Sequence, residues 1–323
     1  MYKIYDKWDE IASNAYNNKF EILDIKQIDH IVFVGMGGSG TLGDVFNGIL
    51  SKKNIHVSIV KGYQLPKTVD KSSLVVFTSV SGNTNETLSA LANIKKVECK
   101  SISFSSGGLM EKYCKKNKLE FRKILQEHSP RASFVTYLYS MLKILEQGIP
   151  ITNYEINSSI RELHELKFKI FSENLNENNP SLRLASRIKN IPLIYYPSGL
   201  QSAAMRFKNS LQENAKMHTI VEDIIETSHN GIVAWEKKSN VFPILLQGKD
   251  DHIKTKERWK ILKEYFLKNQ IDFEEVTSIK GDILSKITSL IYLLDYTSIY
   301  KSILTKTDPS PVKSIEFIKN RLR

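Results

Sequence analysis

Short apolar runs recur along the chain, each followed by a turn and then by residues at helical spacing. The first is His30-Ile31-Val32-Phe33-Val34, followed by Gly35-Met36-Gly37-Gly38-Ser39-Gly40 and helical spacing over 41–50. Residues 55–60 form a second run and Leu74-Val75-Val76-Phe77-Thr78 a third, which leads into Ser79-Val80-Ser81-Gly82-Asn83-Thr84 and a helix from Asn85. Runs at 99–104 and 119–124 predict a fourth and a fifth strand, with Ser105-Ser106-Gly107-Gly108 turning into a helix over 109–116. The runs are apolar on both faces rather than alternating, as in strands covered from both sides. Strand–helix alternation of this length predicts a right-handed parallel sheet with helices on both faces.

The second half repeats the pattern. A helix starting at Ser129-Pro130-Arg131 and running to about 147 closes the first half, because proline suits a first helical position, and Gly148-Ile149-Pro150 ends it. Polar, amphipathic 155–174 is the expected connecting helix, and Asn176-Glu177-Asn178-Asn179-Pro180 a turn. Strands follow at 191–196, 241–246 and 272–276, with helices at 200–217, 251–269, 282–304 and 311–321. The expectation is therefore an α/β protein of two doubly wound domains, residues 1–150 and 151–323, each a parallel sheet flanked by helices.

Candidate chemistry lies where strands end. Each of the first two Gly/Ser loops joins a strand to a helix, and the first turn of a helix has unpaired N–H groups at its positive dipole end. Ser79, Ser81 and Thr84 add hydroxyl donors, and neither loop carries Lys or Arg, so a phosphate monoester fits a neutral cradle there. Gly35, Gly37 and Gly40 also satisfy a G-x-G-x-x-G dinucleotide pattern. Against a dinucleotide, the second strand ends in Lys61-Gly62 where an acid should hold the ribose, and a second phosphate loop is superfluous.

Charge and composition narrow the picture further. The net charge is +11, but the lysines are spread along helices with no dense basic stripe, so a small anion or plain solvation is expected rather than nucleic acid. No apolar run reaches the ~18 residues of a membrane span, and residues 1–8 lack the apolar core of a signal peptide. Cys99 and Cys114 have no metal-like spacing and read as free thiols in a reducing cytoplasm. No His/Asp/Glu cluster has metal-ligand spacing either, so neither metal nor cofactor is expected.

Gly-Met-Gly-Gly-Ser-Gly after one strand and Ser-x-Ser-Gly-Asn-Thr-x-Glu-Thr after another resemble a sugar isomerase (SIS) domain. With Glu213-Asn214-Ala215-Lys216 and Ser228-His229-Asn230-Gly231 in the second half, nearly the whole chain resembles the archaeal-type bifunctional phosphoglucose/phosphomannose isomerases. The resemblance implies two SIS domains and reversible conversion of glucose 6-phosphate and mannose 6-phosphate to fructose 6-phosphate, through an enediolate and without metal. It implies that Ser39, Ser79, Ser81 and Thr84, with the N–H groups of Gly37 and Gly38, hold the phosphate. It further implies Glu213 as the base, Arg131 beside the enediolate, and His229 and Lys319 as ring-opening groups. By the same resemblance the protein is a homodimer in which His229 reaches the partner's site. Val312 stands where some members have threonine, so that hydroxyl contact with the sugar is missing. Arg131, one residue inside the expected helix start, would stand against the dipole, a misfit that a functional role would explain. The competing reading is a non-catalytic sugar-phosphate-binding regulator on the same domains, which has no reason to keep Glu213, His229, Arg131 and Lys319 together.

Overall fold

A computed structural model describes residues 1–322. In chain order the elements are α1 (Tyr2–Tyr5), α2 (Trp8–Asn17), β1 (His30–Val34), α3 (Gly37–Leu50), β2 (His56–Val60), β3 (Ser73–Thr78), α4 (Asn85–Ala92), β4 (Lys100–Ser105), α5 (Gly108–Asn117), β5 (Phe121–Lys123) and α6 (Phe134–Ile144). There follow α7 (Asn153–Ile170), α8 (Pro180–Arg187), β6 (Ile191–Tyr196), α9 (Gln201–Asn214), β7 (Ile220–Asp223), α10 (Ile224–Thr227), β8 (Val241–Gln247), α11 (Ile253–Lys268), β9 (Glu274–Thr277), α12 (Ile283–Leu304) and α13 (Lys313–Arg321). The chain folds as two compact units, one holding Lys3–His164 with Asp282–Ser285 and the other Glu165–Gly281 with the residues from Lys286 onward, so the division falls inside α7 and α12.

In the first unit five parallel strands run in the order β2-β1-β3-β4-β5. β1 and β3 are central and buried along their whole length, which is why their sequences are uninterrupted apolar runs. Val32, Val34, Val75 and Phe77 pack on Leu91, Met110 and Cys114 to form one core layer. α2 packs on α6 through Trp8, whose ring lies 6.0 Å from that of Phe134. In the second unit four parallel strands run β7-β6-β8-β9, and Tyr195 and Leu245 pack on Trp259, Leu262 and Phe266 of α11. Both sheets have the doubly wound form expected from the strand–helix alternation. Among the described residues, no helix is long and apolar enough to cross a membrane.

The structure corrects several element boundaries. α3 begins at Gly37, inside the glycine loop, rather than at residue 41. α6 begins at Phe134, so Pro130 is not at its first position. The intervening residues form a turn: the Ser133 hydroxyl donates to Ser129 O at 2.9 Å and accepts the Glu127 N–H at 2.9 Å. Arg131 therefore precedes the helix, and the expected clash with its dipole does not arise. Two elements were not foreseen. Asn179 caps α8 by accepting the N–H groups of Ser181 and Leu182, with Pro180 at the helix start. β7 is a four-residue edge strand carrying Glu222 and Asp223.

Candidate active site

The two Gly/Ser loops of the first unit sit at the carboxyl ends of the neighbouring strands β1 and β3. Met36 is the N-cap of α3 and has no side-chain cap; its carbonyl takes the N–H groups of Ser39 and Gly40 at 3.1 and 3.2 Å. The N–H groups of Gly37 and Gly38 lie before these, where a helix has no carbonyl one turn back to receive them. Ser39 is buried, and its hydroxyl oxygen accepts the Val80 N–H at 3.3 Å. The first loop is thereby tied to the second.

The second loop is a tight turn closed by Gly82 N–H on Ser79 O at 2.9 Å. Gly82 has φ +68°, and a Cβ there would lie 1.9 Å from Gly107 O, so the turn requires glycine. The Ser79 and Thr84 hydroxyls are 2.9 Å apart. Thr84 is the N-cap of α4, yet its side chain does not cap the helix, which leaves the first-turn N–H groups of α4 to other acceptors. Ser81 accepts the Asn83 N–H at 3.3 Å. The structure thus brings together Gly37, Gly38, Ser39, Ser79, Ser81 and Thr84.

Two features beside these loops were not read from the sequence as part of the site. The first is the turn after β4. The Ser106 hydroxyl and N–H both reach Val80 O, at 2.7 and 3.0 Å, and Leu109 N–H reaches Asn83 Oδ1 at 3.0 Å. This third loop buttresses the second, and its Ser-Ser-Gly-Gly composition at a third strand end was the available signal. The second is Lys61, at the end of β2. Its Cε lies 3.2 Å from where a Cβ on Gly40 would stand, and its Nζ is 2.6 Å from Asp44 Oδ2. A cation therefore flanks the glycine loop, balanced by a carboxylate. Arg131, 8% exposed, occupies the turn between β5 and α6. His128, close by in sequence, is pushed below the usual imidazole range by burial first, then by the positive N-terminus and Arg131.

In the second unit Glu213 lies in the last turn of α9, half-buried. Just beyond it, Lys216 takes the left-handed conformation, φ +56°. Its Nζ donates to Glu213 O at 2.5 Å and to Pro311 O at 2.7 Å. That second bond ties the end of α9 to the segment entering α13, the helix that carries Lys319. The lysine of Glu-Asn-Ala-Lys is therefore a clamp between these two elements. Lys319 is exposed, as is every residue of α13 from Lys313 to Arg321. His229 is exposed in the turn after α10, where its N–H is bonded to Glu226 O at 2.9 Å. Glu213, His229 and Lys319 thus lie on three different elements of this unit.

The bacterial phospho-glucose isomerase C-terminal SIS domain family matches residues 177–322. The chain is 32% identical to the bifunctional phosphoglucose/phosphomannose isomerase of Caldicellulosiruptor bescii, over 97% of this chain and 94% of that protein. The chain belongs to the bifunctional phosphoglucose/phosphomannose isomerase family. The Aquifex aeolicus member of this isomerase family is 31% identical over 96% of each chain. The fold extends beyond the family: the C-terminal domain of glucosamine-fructose-6-phosphate aminotransferase from Francisella tularensis superposes with a TM-score of 0.69 at 17% identity, covering 95% of this chain and 97% of that one. In this phosphoglucose/phosphomannose isomerase family member, Val312 is the N-cap of α13 and offers no side-chain cap. Among the described residues, no group of three or more His, Cys, Asp or Glu is placed to hold a metal ion.

Proposed function

We propose that the protein interconverts glucose 6-phosphate and mannose 6-phosphate with fructose 6-phosphate. The reading rests on one observation above others: 32% identity to a bifunctional phosphoglucose/phosphomannose isomerase that extends over 97% of the chain and so spans both the phosphate loops and the Glu213 segment. The first SIS domain supplies the phosphate cradle, with Gly37, Gly38, Ser39, Ser79, Ser81 and Thr84 as donors. Because no lysine or arginine belongs to the two loops, the cradle fixes the phosphate by directed hydrogen bonds. The second domain supplies the base. Glu213 takes the proton from one of C1 and C2 and returns it to the other through a cis-enediolate, a task that one carboxylate can perform in both directions. Arg131 stabilises the enediolate oxygens, where charge develops only on the way to the transition state. His229 and Lys319 open the sugar ring by proton transfer at the ring oxygen and O1.

The reaction as proposed needs no metal, and the protein works in the cytoplasm as a homodimer. Exposure of His229 on its own subunit suits a side chain that completes the partner's site. The test is formation of fructose 6-phosphate by purified protein from each aldose phosphate, with EDTA present. Product from both supports the reading. Product from glucose 6-phosphate alone restricts it to one epimer, in line with Val312. Binding without product from either substrate points to a sugar-phosphate regulator.

A further inference from the structure

Behind Glu213, α9 carries a stripe of buried polar side chains. Arg206, Ser210 and Asn214 recur every four residues and so share one face of the helix. That face meets α12. Arg206, 2% exposed, forks onto Asp295, 0% exposed: Nη2 donates to Oδ2 at 2.7 Å and Nε lies 3.1 Å from the same oxygen. The Ser210 hydroxyl donates to Asp295 Oδ1 at 2.5 Å. One turn further on, Asn214 Nδ2 donates to the Ser298 hydroxyl at 2.8 Å, and Ser298 in turn donates to Asp295 O at 2.6 Å. The stripe ends on the residue next to Glu213.

A buried ion pair is a poor device for stability alone, because desolvation offsets the attraction and apolar residues of similar volume often do as well. What such a pair can supply instead is register. An arginine fork on a carboxylate fits at one rotation of α9 and one height along α12, whereas apolar side chains would tolerate several. We propose that Arg206 and Asp295, with Ser210 and the Asn214–Ser298 bond, form a register lock that aims the Glu213 carboxylate. These are positioning residues; none is assigned a contact with substrate. The proposal rests on Glu213 being the base.

The test compares wild type, E213Q, R206M/D295L and the triple variant in conversion of glucose 6-phosphate to fructose 6-phosphate. R206M/D295L replaces the pair by apolar side chains, so neither charge is left buried alone. With its melting temperature close to wild type, it should lose about 10- to 100-fold in kcat with KM changed less than about threefold, the scale of a misaimed catalytic group. The triple variant should be no slower than E213Q, since an aim is of no use once the base is gone. A folded R206M/D295L with wild-type kcat would overturn the lock, as would losses that multiply in the triple variant. If R206M/D295L does not fold, S298A, which removes the acceptor of Asn214 together with the hydroxyl's own bond to Asp295 O but leaves the Arg206–Asp295 pair in place, carries the same comparison: lower kcat at unchanged KM supports the lock, and unchanged kcat overturns it. E213Q with undiminished turnover would instead reject the base assignment itself, and with it the role given to the lock.

Discussion

Ser39 accepts the backbone N–H of Val80 at 3.3 Å, so the first Gly/Ser loop supplies a hydrogen bond that the second one needs. Val80 is 3% exposed, and its bond to Ser39 is buried. The loops therefore form one hydrogen-bonded unit rather than two separate turns. Ser39→Ala should destabilise the protein by about 1–3 kcal/mol, the cost of an orphaned buried donor, and should also raise KM. Thermal unfolding and steady-state kinetics on the same preparation check both parts. Ser81 accepts from Asn83 at the exposed side of the loop. Ser81→Ala should raise KM more than it lowers kcat and leave the melting temperature unchanged, because a phosphate hydroxyl contributes mainly uniform binding.

Gly82 should be intolerant of any side chain. A Cβ there would meet Gly107 O at 1.9 Å, and φ is +68°. The same turn is held by the Met110 N–H bond to Gly82 O at 2.9 Å. Gly82→Ala should cost at least the roughly 1–3 kcal/mol of a strained backbone, read as a lower urea midpoint, and should weaken sugar-phosphate binding.

Stability should fall between neutral and mildly acid pH because of His30. Its imidazole is held below the ordinary value of 6.5 by burial first, then by the neighbouring His56, whose ring is 4.7 Å away. The folded state therefore prefers neutral His30, while the unfolded chain takes up a proton near 6.5. The stability is complete above that value and declines as pH falls from it toward the lowered folded-state value. His30→Gln should flatten this part of the melting-temperature profile. An equally steep profile in the variant would show that other groups cause it.

Subunit exchange should reveal whether His229 acts across an interface. Co-expression of H229A with E213Q, each inactive alone, creates heterodimers in which one site has both a wild-type Glu213 and a wild-type His229. With random pairing about a quarter of wild-type activity should return. No recovery would place both residues in the same subunit's site.

What was legible in the sequence follows from where each signal resides. β1 and β3 are covered on both faces, so their apolar runs announce them directly. β7 pairs on one side only and carries two acids in four residues, so neither run nor alternation marks it. The start of α6 was misread because Pro130 suits a turn as well as a first helical position, and the bonds of Ser133 that decide between them are not a sequence pattern. The phosphate loops were legible because glycine and serine cluster there for reasons of local geometry. Lys61 was not, because its place beside Gly40 comes from strand pairing between β1 and β2. Glu213 and Arg131 carry no local mark of chemistry; only the family motifs single them out. The stripe behind Glu213 was hidden because its partners, Asp295 and Ser298, are far along the chain on α12.

As proposed, Glu213 moves the proton on a sugar phosphate held by other residues. That role is tested most directly by measuring turnover and glucose 6-phosphate affinity of Glu213→Gln side by side. Turnover should fall by about 10²-fold or more, the size of a lost general base, while the dissociation constant stays within a few-fold of wild type. Unchanged turnover, or affinity lost in step with turnover, would contradict the account.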